Sequence, residues 1–207
     1  MKCLLLHGLG QTPSSWRATM TARKSKSEHL CPDLFAFLQG KDSCYTNLYQ
    51  AFAAYCGAFP EPFDLCGLSL GGILALQYAI EHPEKVHALA LIGTQYVVPK
   101  TLLKFQNAIS AFMPDRMFTD MGFQKKDFIR LSKSMTELDF RQGLEKITCP
   151  VLVLCGEKDT ANKKAAIRLS QLLPNATLRL IPNAGHEVNI DQPQQLGQIL
   201  DDFFTNI

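Results

Sequence analysis

The sequence Gly-Leu-Ser-Leu-Gly-Gly at residues 67–72 constrains the fold of this chain more than any other feature. An apolar run precedes it and a helical pattern of apolar residues follows at 73–80, which together predict a strand, a tight turn and a helix. A serine on such a turn is held in strained backbone geometry while the helix crosses close to the strand. Side chains two residues before or after Ser69 would clash there, so the turn needs Gly67 and Gly71. The arrangement is typical of a nucleophile elbow, which exposes the serine Oγ above the sheet.

Composition and charge favour a single globular domain, and we expect its partner to be a small-molecule substrate. The chain has 207 residues, of which 46% are hydrophobic and 19% charged, so it has room for a full core. A formal net charge of +2 gives no argument for binding nucleic acid or a membrane surface. No apolar run is long enough to cross a bilayer, and the leading run ends at His7 without the small-residue cleavage site of a signal peptide. We expect a monomer or a homodimer.

The cysteines indicate a reducing compartment. There are seven, an odd number, and they are scattered without a Cys-x-x-Cys pair. Most lie in apolar runs, as buried free thiols do. We therefore predict a cytoplasmic protein without a metal site.

Strand and helix patterns alternate along most of the chain. The predicted strands are 2–6, 29–31, 63–66, 86–92, 151–155 and 176–181, and the predicted helices are a first one from Thr12 or Ser14 through Met20, then 43–55, 70–81, 162–173 and 193–204. This alternation predicts an α/β fold, in which a parallel sheet carries helices on both faces. Residues 95–146 interrupt it with a mainly helical pattern broken by proline and glycine. We expect this segment to form a small helical cap over Ser69, inserted into one domain that spans 1–207.

Four motifs directly follow predicted strands, where parallel sheets place their active sites. They are His-Gly-Leu-Gly at 7–10, the serine turn, Gly-Glu-Lys-Asp at 156–159 and Asn-Ala-Gly-His at 183–186. The order of serine, aspartate and histidine along the chain is that of the α/β-hydrolase triad. Two further residues of these motifs are not assigned to the triad. Glu157 comes too early after its strand to be the acid, and His7 is expected to be structural.

These four motifs resemble the α/β-hydrolase superfamily, in its small serine esterase and acyl-hydrolase type. The resemblance covers nearly the whole chain except the inserted segment. The full sheet of that family has eight strands, two of them before the strand that leads into His-Gly. Here Met1 lies nearly at that strand, so we expect about six strands, mostly parallel.

The resemblance implies a role for each site residue. Ser69 would attack a carbonyl carbon, His186 would take and return its proton, and Asp159 would orient the imidazole. An imidazole suits this work because it ordinarily titrates near neutrality. The oxyanion hole would use the backbone N–H groups of Leu70 and Leu9. No metal or organic cofactor is implied.

The inserted segment carries the information about the substrate. It is rich in phenylalanine and methionine, which suit an apolar acyl pocket, and we select Phe112 and Phe118 as substrate-binding residues. Its basic residues would suit an anionic substrate group, although a solvated helix face explains them better. They are Lys125, Lys126, Arg130 and Lys133.

The sequence therefore predicts a serine hydrolase that cleaves an ester or thioester of a small, apolar acyl substrate through an acyl-enzyme. Two alternatives stay open. The same triad serves carbon–carbon bond hydrolysis and, in some relatives, an elimination in menaquinone synthesis. The second alternative is a non-catalytic small-molecule binding protein, a function that proteins of this fold also have.

Overall fold

The structure is a computed structural model that describes residues 1–24, 28–98, 114–119 and 123–207. Its strands are β1 (Lys2–Leu6), β2 (Glu28–Leu30), β3 (Phe63–Leu68), β4 (Val86–Ile92), β5 (Val151–Gly156) and β6 (Ala176–Ile181). The helices of the described residues are α1 (Arg17–Ala22), α2 (Tyr45–Gly57), α3 (Leu70–Glu81), α4 (Asp115–Thr119), α5 (Lys125–Ser134), α6 (Thr160–Leu172), α7 (Val188–Asp191) and α8 (Pro193–Thr205). Short 3-10 turns lie at Pro13–Trp16, Ala36–Leu38, Pro83–Lys85 and Leu144–Lys146.

The six strands form one sheet in the order β2-β1-β3-β4-β5-β6, and every pair is parallel. The predicted α/β fold and the predicted strand number are confirmed. Because all strands run the same way, their carboxyl ends lie along one edge of the sheet. The loops that carry the four motifs therefore meet at that edge.

Helices cover both faces of the sheet, as predicted. Side chains alternate along each strand, so neighbouring residues belong to different cores. The core under α2, α3 and α6 contains Leu4, Leu6, Leu65, Leu89, Leu91 and Val153. The core under α1 and α8 contains Cys3, Leu5, Cys66, Leu68, Ile92 and Leu154.

Helix α6 begins two residues before the predicted position, at Thr160. The reason is that Asp159 is its N-cap, and its side chain accepts a hydrogen bond from the backbone N–H of Asn162. Aspartate is among the preferred residues at that position. The candidate acid of the triad is thus also the residue that starts a helix.

The described part of the inserted segment is helical, as predicted for 95–146, with α4 and α5 and one isolated bridge between Val97 and Asp139. Helix α5 is fastened to the body, because Ser134 Oγ accepts the backbone N–H of Tyr45 at 2.8 Å, at the start of α2. Phe112 lies outside the described residues. Whether the segment caps Ser69 stays a prediction. No helix in the described ranges has the length and apolar character needed to cross a membrane.

Candidate active site

Ser69 lies on the turn between β3 and α3 in a conformation that L-residues rarely adopt. Its φ is 54° and its ψ is −112°, which is a strained combination for a residue with a side chain. Two backbone hydrogen bonds of 2.9 Å hold it there. Its N–H donates to the carbonyl of Ile92, and its carbonyl accepts the N–H of Ile73.

The two glycines around Ser69 are required by backbone contact, as predicted. A Cβ at Gly67 would lie 2.2 Å from the carbonyl oxygen of Gly71, and a Cβ at Gly71 would lie 2.3 Å from the carbonyl oxygen of Leu6. Backbone atoms cannot yield as a flexible side chain can, so α3 could not cross the sheet this closely with any other residue.

The structure brings Asp159 and His186 together. The Nδ1 atom of His186 lies 2.8 Å from Asp159 Oδ2, and the carboxylate side chain is 4% exposed while the imidazole is 36% exposed. A carboxylate only accepts, so Nδ1 carries the proton and Nε2 keeps its lone pair. Glu157, the rival acid, is exposed to solvent.

Gly93 places this pair beside Ser69. It directly follows β4, at φ +55°, and a Cβ there would lie 3.0 Å from His186 Nδ1 and 3.4 Å from Asp159 Oδ2. The residue before it, Ile92, accepts the N–H of Ser69. Ser69, Asp159 and His186 therefore all lie close to Gly93, although within the described residues no hydrogen bond joins the Ser69 hydroxyl to His186. Such bonds are often long before substrate binds. Sequence reasoning missed Gly93, whose signal was a glycine directly after a buried strand.

Asn162 is a further residue of the site that sequence reasoning missed. Its Nδ2 atom lies 2.8 Å and 2.9 Å from the two carboxylate oxygens of Asp159. Burial acts to raise the pKa of Asp159, but the hydrogen bonds from His186 and Asn162 outweigh it and lower that pKa below its ordinary value. The acid is therefore held in its charged form.

The His-Gly loop after β1 is fixed by His7, which is fully buried. Its Nδ1 lies 3.0 Å from the carbonyl oxygen of Gly8, and its Nε2 accepts the N–H of Leu34 at 3.1 Å. A carbonyl only accepts, so Nδ1 carries the proton. Burial lowers the pKa of His7, which keeps the ring neutral. These contacts agree with the structural role predicted for this histidine.

Gln11, also missed by sequence reasoning, joins the His-Gly loop to the loop of His186. Its Oε1 accepts the N–H of Gly8 at 3.2 Å, and its Nε2 donates to Glu187 at 3.0 Å and to Asn189 at 3.1 Å. The Gln11 side chain is 5% exposed and Asn189 is fully buried. Residues of the two loops are thereby held at a fixed distance.

The remaining candidates are placed as follows. Leu70 is the first residue of α3, where backbone N–H groups are unpaired and negative charge is favoured. Leu9 lies in the His-Gly loop and is half-buried. Their roles in an oxyanion hole stay predictions.

Phe118 is 1% exposed and packs edge-on against Phe128, with ring centroids 5.2 Å apart. Its predicted contact with substrate is likewise untested, and its ring contact with Phe128 lies within the inserted segment.

The inserted segment touches the carboxyl edge of the sheet through a short aromatic series. Phe123 stacks on Phe35 with centroids 4.4 Å apart, and Phe35 packs edge-on against the ring of His7 at 5.3 Å. Phe123, which lies between α4 and α5, is therefore near the His-Gly loop.

Residues 3–198 match the family model described as alpha/beta hydrolase family. The chain belongs to that family. The match runs from β1 into α8 and so includes all four motif loops.

Among curated proteins, the chain is 27% identical to a putative 2-succinyl-6-hydroxy-2,4-cyclohexadiene-1-carboxylate synthase of Bacillus subtilis, over 69% of this chain and 66% of that protein. It is 25% identical to the pimeloyl-[acyl-carrier protein] methyl ester esterase of Aeromonas hydrophila, over 97% and 94%. Among solved structures, the enol-lactonase from Burkholderia xenovorans aligns with a TM-score of 0.82 and 17% identity, over 99% of this chain and 91% of that one. At this identity the structural likeness supports the fold alone.

Proposed function

We propose that this protein is a serine hydrolase that cleaves an ester or thioester of a small, apolar acyl substrate. The observation that carries the proposal is the 2.8 Å hydrogen bond between His186 and the buried Asp159, set against Gly93 beside the strained Ser69. A base oriented by a carboxylate next to a half-buried serine is the arrangement that activates a hydroxyl for attack.

The chemistry follows from the proton positions. With Nδ1–H donated to Asp159, Nε2 is free to take the Ser69 proton as Oγ bonds to the carbonyl carbon. The carbonyl oxygen becomes an oxyanion, which the N–H groups of Leu9 and Leu70 would stabilise. The bond to the leaving group then breaks, and His186 gives the proton to the departing oxygen or sulfur. Water repeats the sequence on the acyl-enzyme and releases the acid.

Two further observations support the substrate class and the compartment. The relatives that align over nearly the whole chain include proteins named as a methyl ester esterase and as monoacylglycerol lipases, and both names describe ester substrates. All seven cysteines are free, which accords with a cytoplasmic location.

The test uses short-chain p-nitrophenyl esters and thioesters, offered to the parent protein and to Ser69→Ala. We expect burst release of nitrophenol from the parent and no catalysed release from the variant, because only the parent forms an acyl-enzyme. A fluorophosphonate should label the parent at Ser69 in a 1:1 ratio. Equal hydrolysis by the two proteins would remove Ser69 from the mechanism, and a parent that takes no label would favour the non-catalytic binding protein.

The synthase relative supports a second candidate function, carbon–carbon bond cleavage or elimination on the same triad. The described face of α5 offers exposed cationic side chains at helical spacing, Lys126, Arg130 and Lys133, which would suit a carboxylate-bearing substrate. Steady-state rates with an acidic diketone and with a neutral ester decide between the two. A strong preference for the neutral ester would exclude this candidate.

A further inference from the structure

Two buried amides lie in a row behind the Asp159 carboxylate. Asn162 Nδ2 contacts both carboxylate oxygens, at 2.8 Å and 2.9 Å, and Gln95 Nε2 donates to Asn162 Oδ1 at 2.7 Å. Asn162 is 5% exposed and Gln95 is 9% exposed. Buried polar groups of this kind are costly unless every hydrogen bond is made, so the row is a specific arrangement.

The orientation of each amide is fixed from both ends. Gln95 Nε2 also lies 3.4 Å from the carbonyl oxygen of Ala161, which can only accept. This turns the Gln95 NH2 group toward Asn162, whose oxygen must accept from it. The NH2 group of Asn162 is then left facing Asp159, which also only accepts. The acceptors at the two ends of the row, the Ala161 carbonyl and the Asp159 carboxylate, therefore assign consistent orientations to both amides.

The row also bears on His186. Asn162 Nδ2 lies 3.1 Å from His186 Nδ1, and both nitrogens approach Asp159 Oδ2. The other carboxylate oxygen, Oδ1, is taken by the side chain and by the backbone N–H of Asn162, at 2.8 Å and 3.3 Å. With Oδ1 occupied in this way, the carboxylate cannot rotate without leaving a buried charge unpaired, and Oδ2 stays aimed at the imidazole.

We propose that Asn162 and Gln95 are positioning residues, which hold the Asp159 carboxylate in the orientation that fixes the His186 tautomer. The inference rests on the proposed serine hydrolase function. Neither residue belongs to the four motif loops: Asn162 is in the first turn of α6, and Gln95 stands at the first position of the segment 95–146. The first residue of the inserted segment is therefore hydrogen-bonded to Asn162, which in turn holds the Asp159 carboxylate.

The test compares Asn162→Leu and Gln95→Leu with Asn175→Leu as the matched control. Asn175 also donates a side-chain hydrogen bond, at 2.7 Å to the carbonyl of Thr148, but before β6 and away from the motif loops. We expect Asn162→Leu to lower kcat about 10- to 100-fold, the loss of one hydrogen bond to a charged group. KM should change less than about twofold, because Asn162 lies behind the acid. The control should keep the parent kcat.

Three further measurements separate positioning from simple support of the fold. Asn162→Ser keeps one donor and should recover part of the lost kcat. The far-downfield proton resonance of His186 Nδ1 should shift or broaden in Asn162→Leu and stay in place in Asn175→Leu. In the double variant with Gln95→Leu, the losses should be less than multiplicative, because Gln95 acts through Asn162.

The inference fails if Asn162→Leu keeps the parent kcat and resonance, or if its loss of activity matches its loss of folded protein in urea titrations. It also fails if Asn162→Ser recovers none of the lost kcat, or if the losses of kcat in Asn162→Leu and Gln95→Leu are fully multiplicative in the double variant. Ser69→Ala distinguishes these failures from failure of the function itself. An inactive Ser69→Ala with a fully active Asn162→Leu overturns this inference alone, whereas an active Ser69→Ala overturns the serine hydrolase.

Discussion

The two halves of the candidate site are held by different kinds of contact, the first from the backbone and the second from side chains. Ser69 is held by backbone contacts, through two peptide hydrogen bonds and two glycines that let the helix cross close to the sheet. His186 and Asp159 are fixed by side-chain hydrogen bonds, from Asn162 and between themselves. Close backbone contact tolerates no added atom, whereas hydrogen bonds can be removed one at a time. A single added atom should therefore disrupt the geometry around Ser69 completely. Removal of single hydrogen bonds around His186 and Asp159 should lower activity in separate steps.

The largest effect is expected from Gly71→Ala. The new methyl would meet the carbonyl oxygen of Leu6 at 2.3 Å, so α3 must move away from β1 and carry Ser69 with it. We expect the free energy of unfolding to fall by ~4 kcal/mol or more, with loss of fluorophosphonate labelling. Urea denaturation measures the first effect. Gly57→Ala is the control, because a Cβ at the end of α2 meets nothing within 4 Å, and it should be neutral or slightly stabilising.

The second effect is a loss of catalysis without loss of the fold, in Asp159→Asn. An amide NH2 facing Nδ1 would favour the wrong imidazole tautomer, so kcat should fall roughly 1,000-fold or more. Circular dichroism should stay that of the parent, because asparagine also caps helices. Asp202→Asn, an exposed acid on α8, is the control. A kcat within tenfold of the parent would show that Asp159 is not the orienting acid.

Gln11→Leu should produce a smaller loss, because it loosens the His-Gly loop without touching the triad. The variant removes the hydrogen-bond partner of the Gly8 N–H and of the Oδ1 atom of the buried Asn189, at a cost of about 1–3 kcal/mol in stability. We expect kcat to fall about tenfold through a displaced oxyanion hole. Thermal unfolding and ester hydrolysis measure the two effects together. Gln39→Leu, at an exposed position, should change neither.

The acid dependence of stability should report the same half of the site. Because hydrogen bonds lower the pKa of Asp159 in the folded state, the unfolded chain binds this proton at a higher pH than the folded protein does. The contribution of Asp159 to stability is thus present above about pH 4, the ordinary range of the group, and is lost as pH falls further. Below pH 4 the free energy of unfolding, from urea titrations, should fall more steeply for the parent than for Asp159→Asn. Parallel curves would contradict this.

The smallest effect is expected from Glu157→Ala. The side chain is exposed, and the contact that the loop needs is its backbone N–H, which donates to the carbonyl of Ile181 at 2.9 Å. That bond survives in alanine, so kcat should stay within about twofold. A large loss would mean that the site depends on both acids at this strand end.

Sequence alone predicted the backbone half of the site. Gly67, Ser69 and Gly71 follow a pattern whose cause is local, and the bounds of α3, β4 and β6 are as predicted. Apolar periodicity and glycine spacing are properties of neighbouring residues, so they are readable without the fold. The parallel sheet of about six strands was also predicted, because strands that alternate with helices run in the same direction.

The hydrogen-bonded half could be predicted only in part. The Asp159–His186 pair followed from chain order, but the residues that hold it did not, because their contacts join distant parts of the chain. Gln95 and Asn162 are 67 positions apart, and Gln11 and Asn189 are 178 apart. Amides carry no periodic signal, and an isolated asparagine or glutamine resembles any surface residue. The one local clue was Asn162 three residues after an N-cap aspartate.

The hydrogen bond from the Ser69 amide to Ile92 makes Ser69 the last rung of the β3–β4 ladder, one step beyond the pair of Leu68 with Ile92. Its amide proton can exchange with solvent only when that central ladder opens. In the interior of a parallel sheet such opening approaches the unfolding of the whole domain. The backbone of Ser69 should therefore open as rarely as the sheet does, and not as often as a loop.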